Sequence, residues 1–177
     1  MYIFKRIKSC NFNTDNVTHM NDMFNGCSSL KELVLYNINT NNVIGMANMF
    51  SGCSSLKELN LSNFNTNKVM NMACMFKDCS SLKEINISNF NTNNVAFMSG
   101  MFSGCTNLEK INLFNFNTYN VNFMNDMFKG CSSLKEIDLS NFFINNLVVM
   151  TGMFKGCSDE LKMKIRILYN IRDEAFY

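Results

Sequence analysis

The sequence predicts an α/β repeat solenoid, a stack of coils with a parallel sheet on one side and short helices on the other. Three observations predict it. Cysteines stand at 27, 53, 79, 105, 131 and 157, a constant step of 26 residues. A phenylalanine row (Phe24 to Phe154) and two methionine rows (Met20 to Met150, Met23 to Met153) keep that step with no insertion. Each unit also splits into a stretch that alternates like a strand and a stretch with helical spacing. One such unit cannot cover its own apolar face, so the copies must stack.

The elements follow in chain order. Residues 4–10 align without a gap on residues 56–62 and read as a partial strand unit. Full units then span 11–36, 37–62, 63–88, 89–114 and 115–140, with a partial unit at 141–158, and one domain takes in the whole of 1–177. In the first unit Leu33 and Leu35 alternate with outward residues, the period of a half-buried strand. Val17, Met20, Met23 and Phe24 recur at i, i+3, i+6 and i+7, a helical face. Thr14 sits where a helix N-cap belongs and Gly26 where a C-cap belongs, with Asp78 the one exception to glycine in that row. Thr40, Thr66, Thr92 and Thr118 repeat the cap. Their sharper reading is a hydroxyl array for ice or carbohydrate; helix capping fits them better. Asparagines at 11, 37, 63, 89, 115 and 141, and at 13, 39, 65, 91 and 117, are expected to satisfy the turns and form amide ladders along the stack.

The pattern breaks at Glu160, where a leucine is due. Ser158, Asp159 and Glu160 read as an N-cap and acidic first turn, and Leu161, Ile165 and Leu168 follow on one helical face. A capping helix over 159–175, within a C-terminal cap of 159–177, is the favoured reading. Its rival is a last strand, because Leu161, Met163, Ile165 and Ile167 alternate with Lys162, Lys164 and Arg166.

Composition narrows the function classes. Sixteen basic residues against 14 acidic ones leave a formal charge of +2, too near neutral to suit nucleic acid or an anionic membrane. No stretch approaches the roughly 18 apolar residues of a spanning helix, so membrane insertion is not expected. Residues 1–8 never open into a signal-peptide h-region, which places the chain in the cytoplasm if it is complete. It begins inside a strand unit with no cap before it. That start reads either as a piece of a longer array or as an end covered by a partner, and end-to-end association through it is expected.

No cofactor or metal is expected. The chain has no C-x-x-C pair and one histidine, His19, whereas zinc sites need clustered ligands. The periodic cysteines read as reduced, buried hydrophobes beside the phenylalanine row, and disulfides between stacked neighbours are the rival. Cys10 and Cys74 fall outside the row, and Cys74, projecting from its helix, is the expected reactive thiol. Twelve of the 15 methionines belong to the repeat and read as core rather than as copper ligands.

The spacing F-x-x-C-x-x-L-x-x-L-x-L is carried by Phe24, Cys27, Leu30, Leu33 and Leu35. With Asn-Phe-Asn-Thr at 63–66, 89–92 and 115–118 and the repeated Met-x-x-Met-Phe, it closely resembles the BspA-like leucine-rich-repeat surface proteins, which include a mycoplasma-type lipoprotein repeat of unknown function. The resemblance covers residues 4–158. It implies a right-handed coil stack with a parallel sheet, display at the cell surface, and a role in adhesion or host contact. The motif has no catalytic residues to transfer. The missing export signal departs from the surface pattern.

Two candidate contact sites emerge. The outward strand positions Glu32, Glu58, Asn60, Glu84, Asn86, Lys110, Asn112 and Glu136 make a polar, mildly acidic sheet face. The alternative is a stripe at the helix flank, where His19, Gly45 and Asn71 give way to Phe97, Phe123 and Val149. Enzyme chemistry needs unlike residues converging on one pocket, and near-identical coils offer rows instead. The expected function is a non-enzymatic, adhesin-like interaction scaffold binding a protein or glycan partner. The alternative is a structural or vestigial fragment of a longer array with no ligand of its own.

Overall fold

The structure is a computed structural model that describes residues 6–8, 12–145 and 147–177; the remainder of the expected strand unit 4–10, with Cys10 and Asn11, lies outside them. Short parallel pairs join consecutive units at the sequence period. Strand β1 (Arg6–Lys8) pairs with β2 (Glu32–Val34), Arg6 opposite Glu32. Strand β3 (Glu84–Ile85) pairs with β4 (Lys110–Ile111), Glu84 opposite Lys110. An Asn60–Asn86 bridge lies between the two pairs in the chain. Every partner is 26 residues away, so the backbone advances one unit per coil.

The expected α/β solenoid of alternating strands and helices is overturned. The only α-helix among the described residues is α1 (Asp159–Leu168), and the sheets are two-stranded. Each segment expected to be helical is a run of turns instead. Its N–H groups turn away from the i−4 carbonyls and donate to the next unit: Met20 to Gly45 O (2.8 Å), Asp22 to Ala47 O (2.9 Å), Phe24 to Met49 O (2.9 Å), Gly26 to Ser51 O (2.7 Å). Parallel bridges run through His19, Gly45, Asn71, Phe97, Phe123 and Val149, so this side carries a second ladder. The physical reason is backbone handedness. Asp22, Asn48, Cys74, Gly100, Asp126 and Gly152 all have positive φ, as do Gly26 and its equivalents four residues on. A left-handed residue in mid-segment stops a right-handed helix.

The threonines are therefore not helix caps. Thr40 Oγ1 donates to Asn65 O (2.9 Å) and accepts from Asn65 N–H (2.7 Å), so one hydroxyl clasps both backbone groups of a residue in the next unit. Thr14, Thr66, Thr92 and Thr118 repeat the clasp. All five threonines are buried, which removes the exposed hydroxyl array. Asparagines link units as well: Asn89 Nδ2 donates to Leu61 O (3.0 Å), and Asn65 Nδ2 to Asn41 Oδ1 (2.8 Å).

The core between the ladders is continuous. Phe24, Phe50, Phe76, Phe102, Phe128 and Phe154 stack with centroids 5.5–5.7 Å apart. Burying one such ring stabilises by up to about 3 kcal/mol. Eleven of the twelve repeat methionines are buried; Met23 in the first unit is exposed. At the other end Ser158 caps α1 by accepting from Leu161 N–H (3.2 Å), and Leu161 and Ile165 face the core. Residues 159–168 are thus a helix rather than a strand, and it stops before 175. A 3-10 turn at Asp173–Phe176 then lays Phe176 on Phe154 (5.8 Å), while Phe154 N–H donates to Ala175 O (2.7 Å).

Candidate functional site

The sheet face brings Glu32, Glu58, Glu84, Lys110 and Glu136 to the surface in one outward column, all exposed. Their freedom differs. Arg6 holds Glu32 at 2.6 Å. Glu58, Glu84, Lys110 and Glu136 have no ion-pair partner among the described residues. One column earlier, Glu109 is paired to Lys135 at 3.0 Å, and that hydrogen bond, followed by the lysine's charge, lowers its carboxyl below the ordinary range. Asn60, Asn86 and Asn112 are exposed, but each Oδ1 accepts the backbone N–H two residues on, at 2.9–3.1 Å. Their amides therefore hold turns as well as facing outward. A shallow depression of about 580 Å³ lies among Lys57, Glu58, Lys83, Glu84, Glu109 and Lys110.

The apolar stripe is also exposed, at 41% for Phe97, 39% for Phe123 and 41% for Val149. It sits on the second ladder and not on a helix flank. Bridges join Phe97 to Phe123 and Phe123 to Val149. The two rings stack at 5.5 Å with 5° between their planes, so the backbone ladder fixes their spacing. The matching residues of earlier units, His19, Gly45 and Asn71, leave that end of the column without large apolar groups.

Thiol chemistry has little to work with. Cys53, Cys79, Cys105, Cys131 and Cys157 are buried free thiols, each donating to the carbonyl 29 residues back (Cys79 to Phe50 O, 3.1 Å). Burial pushes Cys53 up to about 12 and Cys157 to about 11, and raises the other three further. Cys74 does not stand out from a helix as a reactive thiol. It is half-buried at φ 55°, its Sγ lies 3.6 Å from Ser99 O, and burial raises its pKa as well. No cluster of three or more histidine, cysteine, aspartate or glutamate residues able to hold a metal occurs among the described residues. No helix among them is long and apolar enough to cross a membrane.

Exposed apolar residues outside the two expected sites include Tyr119 (66%), Phe143 (47%) and Leu147 (84%). The signal for two of them was present, since Tyr119 and Phe143 each interrupt an asparagine column. Leu147 follows Val17, Val43, Val69, Val95 and Val121 at the 26-residue step, yet Val148 (3%) takes the buried place and Leu147 is turned out.

Stacked 26-residue coils, inward leucines and two parallel ladders define a leucine-rich-repeat-like scaffold. The T. pallidum Leucine Rich Repeat protein has a similar fold, with a TM-score of 0.55 at 20% identity over 99% of this chain and 88% of that one. Weaker likenesses are to a leucine-rich repeat protein from Eubacterium ventriosum (TM-score 0.47, 20% identity, 74% of this chain, 35% of that one) and one from Bacteroides ovatus (0.38, 19%, 89% and 48%). The chain belongs to the family described as Mycoplasma protein of unknown function, DUF285, which matches residues 2–86 and 57–166. No curated protein matches the sequence.

Proposed function

We propose that this protein is a non-enzymatic, adhesin-like interaction scaffold, displayed at a cell surface, that binds a protein partner through the stripe of Phe97, Phe123 and Val149. The observation that carries this reading is the stacked, exposed Phe97–Phe123 pair, held in register by backbone bridges. Ordered apolar groups left in water are unfavourable alone and become favourable on contact. The motif resemblance to BspA-like surface proteins supports the surface role. The sheet face is the second reading, favoured by the unpaired Glu58, Glu84 and Lys110 around the shallow depression.

The test is adhesion of protein-coated beads to cultured animal cells. Beads carrying the parent protein should adhere, and Phe97→Ser with Phe123→Ser should lower adhesion about tenfold, which corresponds to about 1.4 kcal/mol. Salt should change the parent's adhesion little, because apolar contacts are not screened. Loss in Glu58→Lys with Glu84→Lys instead would move the site to the sheet face. Retention by both double variants, each checked for folding, would remove both sites. A parent that never adheres would favour the purely structural array.

A further inference from the structure

The turn edge of the last units differs in chemistry from both faces. It carries Tyr119 and Phe143, 66% and 47% exposed, with ring centroids 5.1 Å apart and planes tilted by 43°. The pair is tilted, unlike the parallel Phe97–Phe123 stack, and both of its residues are exposed. Both rings stand on fixed backbone. Tyr119 N–H donates to Asn117 Oδ1 (2.9 Å), and Phe143 N–H donates to the buried Thr118 hydroxyl (2.7 Å).

The neighbouring amides are fixed too. Asn117 Nδ2 donates to Asn93 Oδ1 (2.9 Å), Asn120 Nδ2 to Asn93 O (2.7 Å), and Asn94 Nδ2 to Asn67 O (2.7 Å). These bonds leave the Asn93 Nδ2 hydrogens without an acceptor, and Asn94 Oδ1 and Asn120 Oδ1 without a donor, among the described residues. No carboxylate or cation occurs within 91–94, 117–120 or 143–145.

We infer that this edge is a binding site for a neutral oligosaccharide. A sugar ring offers an apolar C–H face to an aromatic ring and hydroxyls that both donate and accept, the two needs of this surface. Lys68, the cation at this edge of the adjoining unit, is engaged on Asn42 Oδ1 (2.8 Å), so an ionic ligand would find no free counter-charge in these three segments. Because backbone and amides are already held, little freedom is lost on binding. The site is independent of the stripe.

The test is calorimetric titration with maltohexaose and cellohexaose, neutral α- and β-linked glucose hexamers, at low and high sodium chloride. At least one should bind, with affinity changing less than about twofold with salt. Tyr119→Ala with Phe143→Ala should weaken that binding at least about tenfold. Ile167→Ser, an exposed apolar change on α1, should leave it as in the parent. Circular dichroism melting verifies that each variant folds. Heat from neither hexamer, binding unchanged in the double variant, or an affinity that collapses with salt would each overturn the assignment. If neither hexamer binds but Tyr119→Ala with Phe143→Ala abolishes bead adhesion, the edge is a protein contact and the saccharide reading is wrong.

Discussion

The middle units and the sixth unit share most of a sequence, and the sixth departs at three positions that the middle units hold constant. In units spanning 37–114, Thr40, Thr66 and Thr92 clasp the next unit, valine fills the inward turn position, and the edge is asparagine. In the sixth unit Ile144 stands in the threonine position, Leu147 is turned out while Val148 goes in, and Phe143 replaces asparagine. Stacking explains the first difference. The unit after 141–158 is a helix and not a coil, so a threonine there would have no carbonyl and N–H to clasp, and Ile144 packs on the core instead. The clasp belongs to the junction between coils, not to a unit by itself.

The comparison can be broken most severely with base. Unfolded thiols ionise near 9.0, whereas Cys157 in the sixth unit is held to about 11 and Cys53 to about 12, with the middle thiols higher still. A raised folded pKa means stability is fully present below pH 9 and is lost as pH rises through 9 toward 12. Each buried thiol contributes a slope of about 1.4 kcal/mol per pH unit in that window. Melting followed from pH 8 to 11 should fall steeply, and Cys79→Ala with Cys105→Ala should flatten the fall. Parallel curves for parent and variant would show that the thiols are not what titrates.

A middle-sized effect separates the junctions. Thr92→Val should cost about 2–3 kcal/mol, because Asn117 loses partners for both N–H and carbonyl. Ile144→Val, which places the same residue at the equivalent position, should cost under about 1 kcal/mol. Equal losses in denaturant titrations would contradict the clasp. The smallest effect is at Leu147, 84% exposed, where Leu147→Asn should shift stability by no more than about 0.5 kcal/mol. A large loss there would restore Leu147 to the core and remove the register change.

The period and the inward rows were legible because they depend only on which residues recur. The turn segment was misread because apolar residues at i, i+3, i+6 and i+7 satisfy a helix and also a run of turns whose inward positions face one core. The deciding information was local: Asp22, Asn48, Gly100, Asp126 and Gly152 are the residue types that tolerate positive φ. Cys74 in the same column hides the pattern. At the candidate sites, Phe97 and Phe123 could be found from their column, whereas the turn bonds that engage Asn60, Asn86 and Asn112 needed three-dimensional neighbours. The shift from Leu147 to Val148 was illegible, since either residue suits an apolar place.

The hydrogen bonds of the second ladder point from each coil to the next, so they lie along the stacking axis. Tension on the two ends of the chain is carried by these junctions in series, and an end coil, held by one neighbour instead of two, yields first. The molecule should yield by peeling, one coil at a time, and each coil would release roughly 90 Å of chain, since 26 residues extend at about 3.4 Å apiece. Such a tether lengthens under load while its remaining coils, and any contacts they hold, stay folded.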